Sequence, residues 1–371
     1  MKRYSSNLIQ WLDGRVVSLS YFRRRIGEYV NIWKKRDLIR SVKIDSLDVQ
    51  RIQTLWKQNY GSTIPLFWHQ LYASYTGTVD INYFPEIFYS TILERRYNDP
   101  YAALAFEDKS MLDIALRIPG ESKAHTIPSI FSKTKGNFYD SAHSPITEDA
   151  ALRLIYSCGK CVIKPSVDTD SGLGVRVLNC LDGKDLKTGD FLTEVINSYN
   201  QDFLVQSYVN AHDTIKMLNP SSLNTIRIIT YLLEGQVYHC PLAMRIGACN
   251  SDVDNIHAGG LVIGLSDEGI LNEIAFSEYG EKYKKHPVTG IVFAGYCIPY
   301  IRQAIELVER QHSLVPRLSF ISWDITISDN GKPIIVEMNT RNQSAWFPQM
   351  VNGRSLFGKN TEKMIRLLKA N

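Results

Sequence analysis

The stretch FISWDITISDNGKPIIVEMNTRN, residues 320–342, limits what this chain can fold into more than any other. Two runs with strand composition flank Asn330-Gly331, a strong short-range signal for a two-residue hairpin turn. With those residues at the turn centre, Asp324 falls opposite Glu337, their Cβ atoms about 5 Å apart. Asn339 follows on the same face, because strand side chains repeat every two residues. Two adjacent carboxylates repel unless something neutralises them. Together with an amide oxygen they form a hard donor set suited to Mg²⁺, with Mn²⁺ the alternative. An ordinary solvated hairpin is the other reading. Against it, Trp323, Ile325, Val336 and Met338 give the ribbon an apolar opposite face fit for a core.

At 371 residues the chain has room for two or three lobes. Its composition, 44% hydrophobic and 22% charged, excludes a disordered chain, and a net charge of +4 is too small to imply nucleic acid. Of the six cysteines, only Cys158 and Cys161 are spaced as a pair, and no second pair completes a zinc site. A thiol pair in a reducing compartment is expected. With no membrane-spanning run and no signal-peptide pattern, the expected location is cytoplasmic.

Residues 1–45 carry eleven Lys or Arg against four acidic residues. Arg23-Arg24-Arg25 and Lys34-Lys35-Arg36 punctuate Tyr21, Phe22, Ile26, Tyr29, Val30, Ile32 and Trp33. A packed helix with a basic outer face is the first expectation. A helix resting on anionic lipid at the inner face of a membrane, or on a protein partner, is the second. No base-reading motif accompanies the charges, so no specific nucleic acid is expected.

Further along, IDSLDVQRIQTLWKQNYG clusters apolar residues at helical spacing. EDKSMLDIALRIPG, residues 107–120, reads as a short helix capped by Asp108, with Lys109 at its start. TEDAALRLIYS is a helix beginning near Thr147. CVIKPSVDTDSGLGVRVL runs from a strand through Lys164 into a loop holding Gly172 and Gly174. Such glycines let backbone approach phosphate, and Lys164 could neutralise it. The loop matches neither the usual phosphate-loop nor the dinucleotide fingerprint, so a plain hairpin loop is the alternative. SSLNTIRIITYLLEGQVYHCPLAMRIG, residues 221–247, alternates around Glu234-Gly235 as a long hairpin. IRQAIELVERQ reads as a helix burying Ile301, Ala304, Ile305 and Val308.

In this order the motifs resemble the ATP-grasp superfamily over about residues 80–370, especially its sugar-transfer-associated branch. They also resemble the branch that attaches amino acids to peptide or protein carboxylates. The resemblance implies ATP binding by Lys109, Lys164, the loop Ser171-Gly172-Leu173-Gly174 and the linker Gln206-Ser207-Tyr208-Val209. It implies catalytic roles for Arg227 and Arg245, with Asn224 a substrate-binding residue that orients the Arg227 region. DNIHAGG, residues 254–260, resembles an acceptor-side loop, which adds Asn255, His257, Gly259 and Gly260 as substrate-binding candidates. Asp324, Glu337 and Asn339 match the metal positions, in agreement with the hairpin argument.

The fold implied is α+β, an ATP-grasp fold with a nucleotide cleft between mixed α/β lobes, preceded by a basic N-terminal segment. The expected divisions are an extension (1–45), an amino-terminal α/β lobe (46–125), a lid (126–205) and a carboxyl-terminal catalytic subdomain (206–371). The activity implied is an ATP- and Mg²⁺-dependent carboxylate–amine ligase working through an acyl phosphate. Its carboxylate substrate and amine acceptor would belong to a cell-envelope or exopolysaccharide precursor, with polysaccharide-biosynthesis enzymes as partners. A nonenzymatic ATP-binding scaffold in that biosynthesis and an ATP-dependent small-molecule phosphotransferase are the alternatives.

Overall fold

The computed structural model describes residues 22–118, 120–121, 124–167, 172–248 and 254–369. They group into two compact units, one running to Tyr97 and resuming at Asn342, the other spanning Asn98–Arg341. No helix among the described residues is long and apolar enough to cross a membrane.

The first unit is helical. Asp45 caps the helix Ser46–Asn59 by accepting from the Asp48 N–H at 2.9 Å. Trp68, Leu71, Tyr72 and Tyr75 are buried along the helix Phe67–Thr76 at the spacing of one helical face. Around them Trp56 stacks on Phe88 with ring centroids 4.7 Å apart, and Phe84 packs edge-on to Phe357. This corrects the expected α/β character of residues 46–125. Among the described residues no strand longer than an isolated bridge precedes Ser129. Aromatic residues favour strands in isolation, but here their three-and-four spacing places them on one helix face.

The second unit holds two antiparallel sheets. The first joins β1 (Ser129–Thr134), β2 (Asn137–Asp140), β3 (Pro145–Ile146), β4 (Lys160–Pro165), β5 (Arg176–Leu181), β6 (Lys184–Asp185) and β7 (Phe203–Ser207). Their order is β3-β2-β1-β7-β4-β5-β6. The helices Glu148–Tyr156 and Leu192–Ser198 bury Ala151, Ile155, Val195 and Ile196 with Phe131, Ile163 and Val205 of this sheet. Thr147 caps the first of these helices as expected. The sulfur of Cys161 lies 3.8 Å from that of Cys180 on the neighbouring strand, so the thiol pair joins those two rather than Cys158 and Cys161.

The second sheet joins β8 (Thr225–Leu233), β9 (Gln236–His239), β10 (Leu242–Ile246), β11 (Leu261–Leu265), β12 (Leu271–Phe276), β13 (Lys282–Tyr283), β14 (Phe320–Ile327) and β15 (Pro333–Asn339). It runs β13-β12-β11-β10-β8-β14-β15, with β9 also on β8. Glu234 and Gly235 both have positive φ, as a mirror-image two-residue turn requires. The helix Ile301–Ser313 packs on this sheet, burying Ile301, Ala304, Ile305 and Val308 as its periodicity predicts. Beneath it the Trp323 indole donates to the Thr230 hydroxyl at 2.8 Å.

The β14–β15 hairpin forms, but with a different turn. Asp329, Asn330 and Gly331 make a three-residue loop closed by Ser328 N–H to Lys332 O at 2.9 Å. Gly331, at φ 77°, takes the left-handed position such a loop needs. The extra residue displaces the near ladder, which pairs Ile327 with Pro333 and Ile325 with Ile335. A bulge then passes over Val336 and returns Asp324 to face Glu337.

Candidate active site

Four neighbouring strands, β10, β8, β14 and β15, carry the charged centre. Arg227 on β8 lies directly across from Asp324 on β14. Its Nε donates to Asp324 Oδ1 at 2.6 Å and its Nη2 to Oδ2 at 3.1 Å, a bidentate pair. Arg245 on β10 reaches the same carboxylate through Nη1 at 3.0 Å. The side chain of Asp324 is 3% exposed. Burial alone would raise its pKa, but the guanidiniums of Arg227 and Arg245 together outweigh that and hold it below the ordinary carboxylate value.

The second fork of Arg245 donates to Asp254 Oδ1 at 2.9 Å. Asp254 also accepts from the Thr225 N–H at 3.0 Å and from the Thr225 hydroxyl. A continuous chain Asp254–Arg245–Asp324–Arg227 therefore spans three strands and the loop after β10. Sequence reasoning missed Asp254, although it opens the glycine-rich DNIHAGG loop. No spacing in the sequence links it to Arg245, so no signal there pointed to it.

Two lysines approach from elsewhere in the unit. Lys109 opens the short turn Lys109–Met111, where Asp108 caps as expected, although the predicted helix is broken into a 3₁₀ turn and the segment Leu112–Ala115. Its backbone N–H donates to Ser166 O at 2.9 Å, tying it to the residue after β4. Its ammonium lies 3.2 Å from Glu337 Oε1. Lys164 near the end of β4 is buried. Burial pulls its pKa down to about 8, Glu337 and Asp324 oppose the shift, and Lys109 adds to it. Phosphate would find two cations already gathered here from segments far apart in sequence.

Asp324, Glu337 and Asn339 share one face of the hairpin, with Asn339 Nδ2 donating to Ser322 O at 3.4 Å. The two arginines make three hydrogen bonds to Asp324, of about four that a carboxylate accepts. Among the described residues no group of three His, Cys, Asp or Glu side chains could hold a metal ion. A divalent cation on two carboxylates and an amide oxygen would thus take its remaining ligands from outside the protein. The oxygen-only donor set fits Mg²⁺.

Ser171 lies outside the described residues; Gly172, Leu173 and Gly174 are described, with Leu173 exposed and Gly174 O accepting from the Tyr199 hydroxyl. Gln206 Nε2 donates to Ile127 O at 3.2 Å and Ser207 N–H to Pro128 O at 2.9 Å. The ammonium of Lys160 sits 3.6 Å from the Tyr208 ring centroid, and Val209 is half-buried. Asn224 is fully buried, donating to Ile215 O and Asn219 O and accepting from Gly247 N–H. It therefore pins the start of β8 to the end of β10. Asn255 accepts from the His257 N–H at 2.8 Å, and Gly259 follows in the left-handed region. The half-exposed His257 ring pairs with Glu278 at 3.0 Å. A Cβ on Gly260 would come within 2.6 Å of Asp254 O, so glycine alone fits where the loop folds over its own start.

No curated protein matches the chain at a significant level. Solved structures that it resembles include an ATP-grasp ligase, PsnB, complexed with a minimal precursor, Mg and ADP. That match has 14% identity over 74% of this chain and 62% of the other, with a TM-score of 0.40. D-alanyl-alanine synthetase A from Vibrio cholerae O1 biovar eltor matches at 14% identity over 73% of this chain and 66% of its own, TM-score 0.42. The VanG D-Ala:D-Ser ligase from Enterococcus faecalis matches at 12% identity over 73% and 63%, TM-score 0.41. The chain thus spans less than two thirds of the length of each. The family model for sugar-transfer associated ATP-grasp matches residues 89–363, well over half of the chain. With its α+β ATP-grasp fold, the chain belongs to the sugar-transfer associated ATP-grasp family.

Proposed function

We propose that this protein is an ATP-dependent carboxylate–amine ligase. The observation that carries the reading is the convergence of Lys109, Lys164, Arg227 and Arg245 on the pair Asp324 and Glu337. Four cations around two carboxylates make a centre for handling phosphoryl and acyl-phosphate charge. In this reading Lys109 and Lys164 bind the nucleotide's phosphate oxygens, and the 206–209 linker holds its base. Mg²⁺ on Asp324, Glu337 and Asn339 would screen phosphate charge.

Arg227 and Arg245 meet the charge that develops as a carboxylate oxygen takes the γ-phosphoryl group. Their guanidiniums are already clamped by Asp324 and Asp254, so little reorientation is needed as that charge forms. An amine then attacks the acyl carbon, the C–O bond to phosphate breaks, and the amine loses a proton. The loop 254–260 stands at the acceptor side, where His257 contacts or shapes the substrate pocket. Holding the acceptor close lets aminolysis outrun hydrolysis. No covalent enzyme nucleophile is required.

The family's association with sugar transfer supports a carboxylate on a cell-envelope or exopolysaccharide precursor, a uronic acid being one such group. Polysaccharide-biosynthesis enzymes are the corresponding partners. Mass spectrometry of reactions with ATP, Mg²⁺, candidate carboxylates including uronic acids, and an amine library tests the reading. An amide formed with ADP is expected. A stable phosphorylated alcohol would instead identify a phosphotransferase, and nucleotide binding without turnover on any substrate would favour a scaffold.

A further inference from the structure

Helix 22–34 in the first unit is inverted relative to an ordinary surface helix. Arg24, Glu28, Ile32 and, just past its end, Lys35 recur at the spacing of one helical face, and that face is turned inward. Glu28 and Lys35 are buried. Arg24 Nε lies 3.3 Å from Glu28 Oε1, and the Lys35 ammonium sits 4.8 Å from the Trp346 ring centroid. Burying charge is unfavourable unless it is compensated, here by the Arg24–Glu28 ion pair and the Lys35–Trp346 cation–π contact.

The outward face is apolar. Phe22, Ile26, Tyr29, Val30 and Trp33 form one continuous stripe at helical spacing, exposed by 64%, 47%, 41%, 43% and 65%. The edge of the stripe nearest Arg25 is tied to the core, where the Tyr29 ring meets Trp68 edge-on at 6.0 Å. The helical wheel puts Arg23 and Lys34 along one edge of the stripe and Arg25 along the other, all three exposed. A surface helix of a globular protein has the opposite arrangement.

We propose that this face docks onto an anionic lipid bilayer. Charge complementarity selects the occupant: an apolar stripe with aromatic rings, edged on both sides by cations, matches acyl chains beneath negative headgroups. Residues 1–21 of the same chain do not complement the flanking cations, because Lys2, Arg3 and Arg15 outnumber Asp13. The surface belongs to the first unit and does not depend on the chemistry proposed at Asp324.

Vesicle flotation of the full chain tests this, using phosphatidylcholine alone or with about one-third phosphatidylglycerol. The full chain should float with the anionic vesicles and stay below with the neutral ones, and added salt should release it. Neutralising Arg23, Arg25 and Lys34 to glutamine should weaken partitioning by about fivefold per charge. The double change Ile26→Ser with Trp33→Ser should weaken it by about tenfold or more with every charge retained. Both sites are exposed, and circular dichroism checks that each variant keeps its helices. Absence of flotation, equal flotation with both vesicle types, or wild-type flotation of the serine variant would overturn the proposal. So would concentration-dependent self-association that the serine variant abolishes, since the stripe would then belong to a second copy of the chain.

Discussion

Asp324 faces Glu337 across the β14–β15 pair because two irregularities cancel. The three-residue loop at 329–331 moves the register by one, and the bulge at Val336 moves it back. With the loop alone, Asp324 would face Val336, and Glu337 would turn to the other side of the ribbon. The two carboxylates nevertheless sit in different environments, one clamped by two arginines and buried, the other half-buried beside Lys109.

That difference separates stability from binding. Asp324→Ala leaves two partly buried guanidiniums without their shared partner, and should cost about 3–5 kcal/mol in denaturant unfolding. Glu337→Gln removes only a partly exposed ion pair and should cost under about 1 kcal/mol. Yet Glu337→Gln should abolish the Mg²⁺ dependence of nucleotide affinity measured by titration calorimetry. Retention of that dependence would remove Glu337 from the metal site.

In the proposed mechanism Asp254 would act through Arg245, to which it is hydrogen-bonded, as a positioning residue. Asp254→Asn should lower kcat about 10- to 100-fold while KM for ATP changes little, because the guanidinium stays present but loses one of its two clamps. A loss confined to KM would place Asp254 in ground-state binding instead.

The lysine at 164 predicts a pH dependence. Its pKa is depressed to about 8, mainly by burial, so it discharges as pH rises through that value. A polyanionic nucleotide favours the charged form, and its binding should therefore take up a proton. Affinity for a nonhydrolysable ATP analogue should be greatest below about pH 8 and fall about tenfold by pH 9. Lys164→Met should bind about 10- to 100-fold more weakly at pH 7 and lose this slope. A variant binding as tightly as wild type at pH 7 would show that Lys164 does not hold phosphate in the ground state.

Gly260→Ala should disturb the acceptor side specifically. The added Cβ would press on the Asp254 carbonyl from 2.6 Å, forcing the loop to shift. The expected cost is about 1–3 kcal/mol in thermal unfolding, with a larger rise in KM for the amine than for ATP. Equal effects on both substrates would place the loop outside the acceptor site.

Much of this centre was legible because β strands and helices write their periods into sequence. The alternation around Glu234-Gly235 and the spacing of Ile301, Ala304, Ile305 and Val308 both led to the elements that form. Asp254 was not legible, since its partner Arg245 is reached by the loop folding back rather than by any spacing. The compensating loop and bulge were hidden as well: Asn330-Gly331 suits both a two-residue turn and the three-residue loop observed. Helix 22–34 shows a different limit. Periodicity separates two faces of a helix but does not say which one the core receives, and here the core takes Glu28 and Lys35.

The central claim is that a carboxylate is activated by phosphorylation before an amine displaces the phosphate. A carboxylate substrate labelled with ¹⁸O, converted with ATP, Mg²⁺ and the amine that forms product, tests it most directly. The bridging oxygen of an acyl phosphate leaves with phosphate, so one label should appear in inorganic phosphate for each amide formed. Amide formation with unlabelled inorganic phosphate would contradict the account.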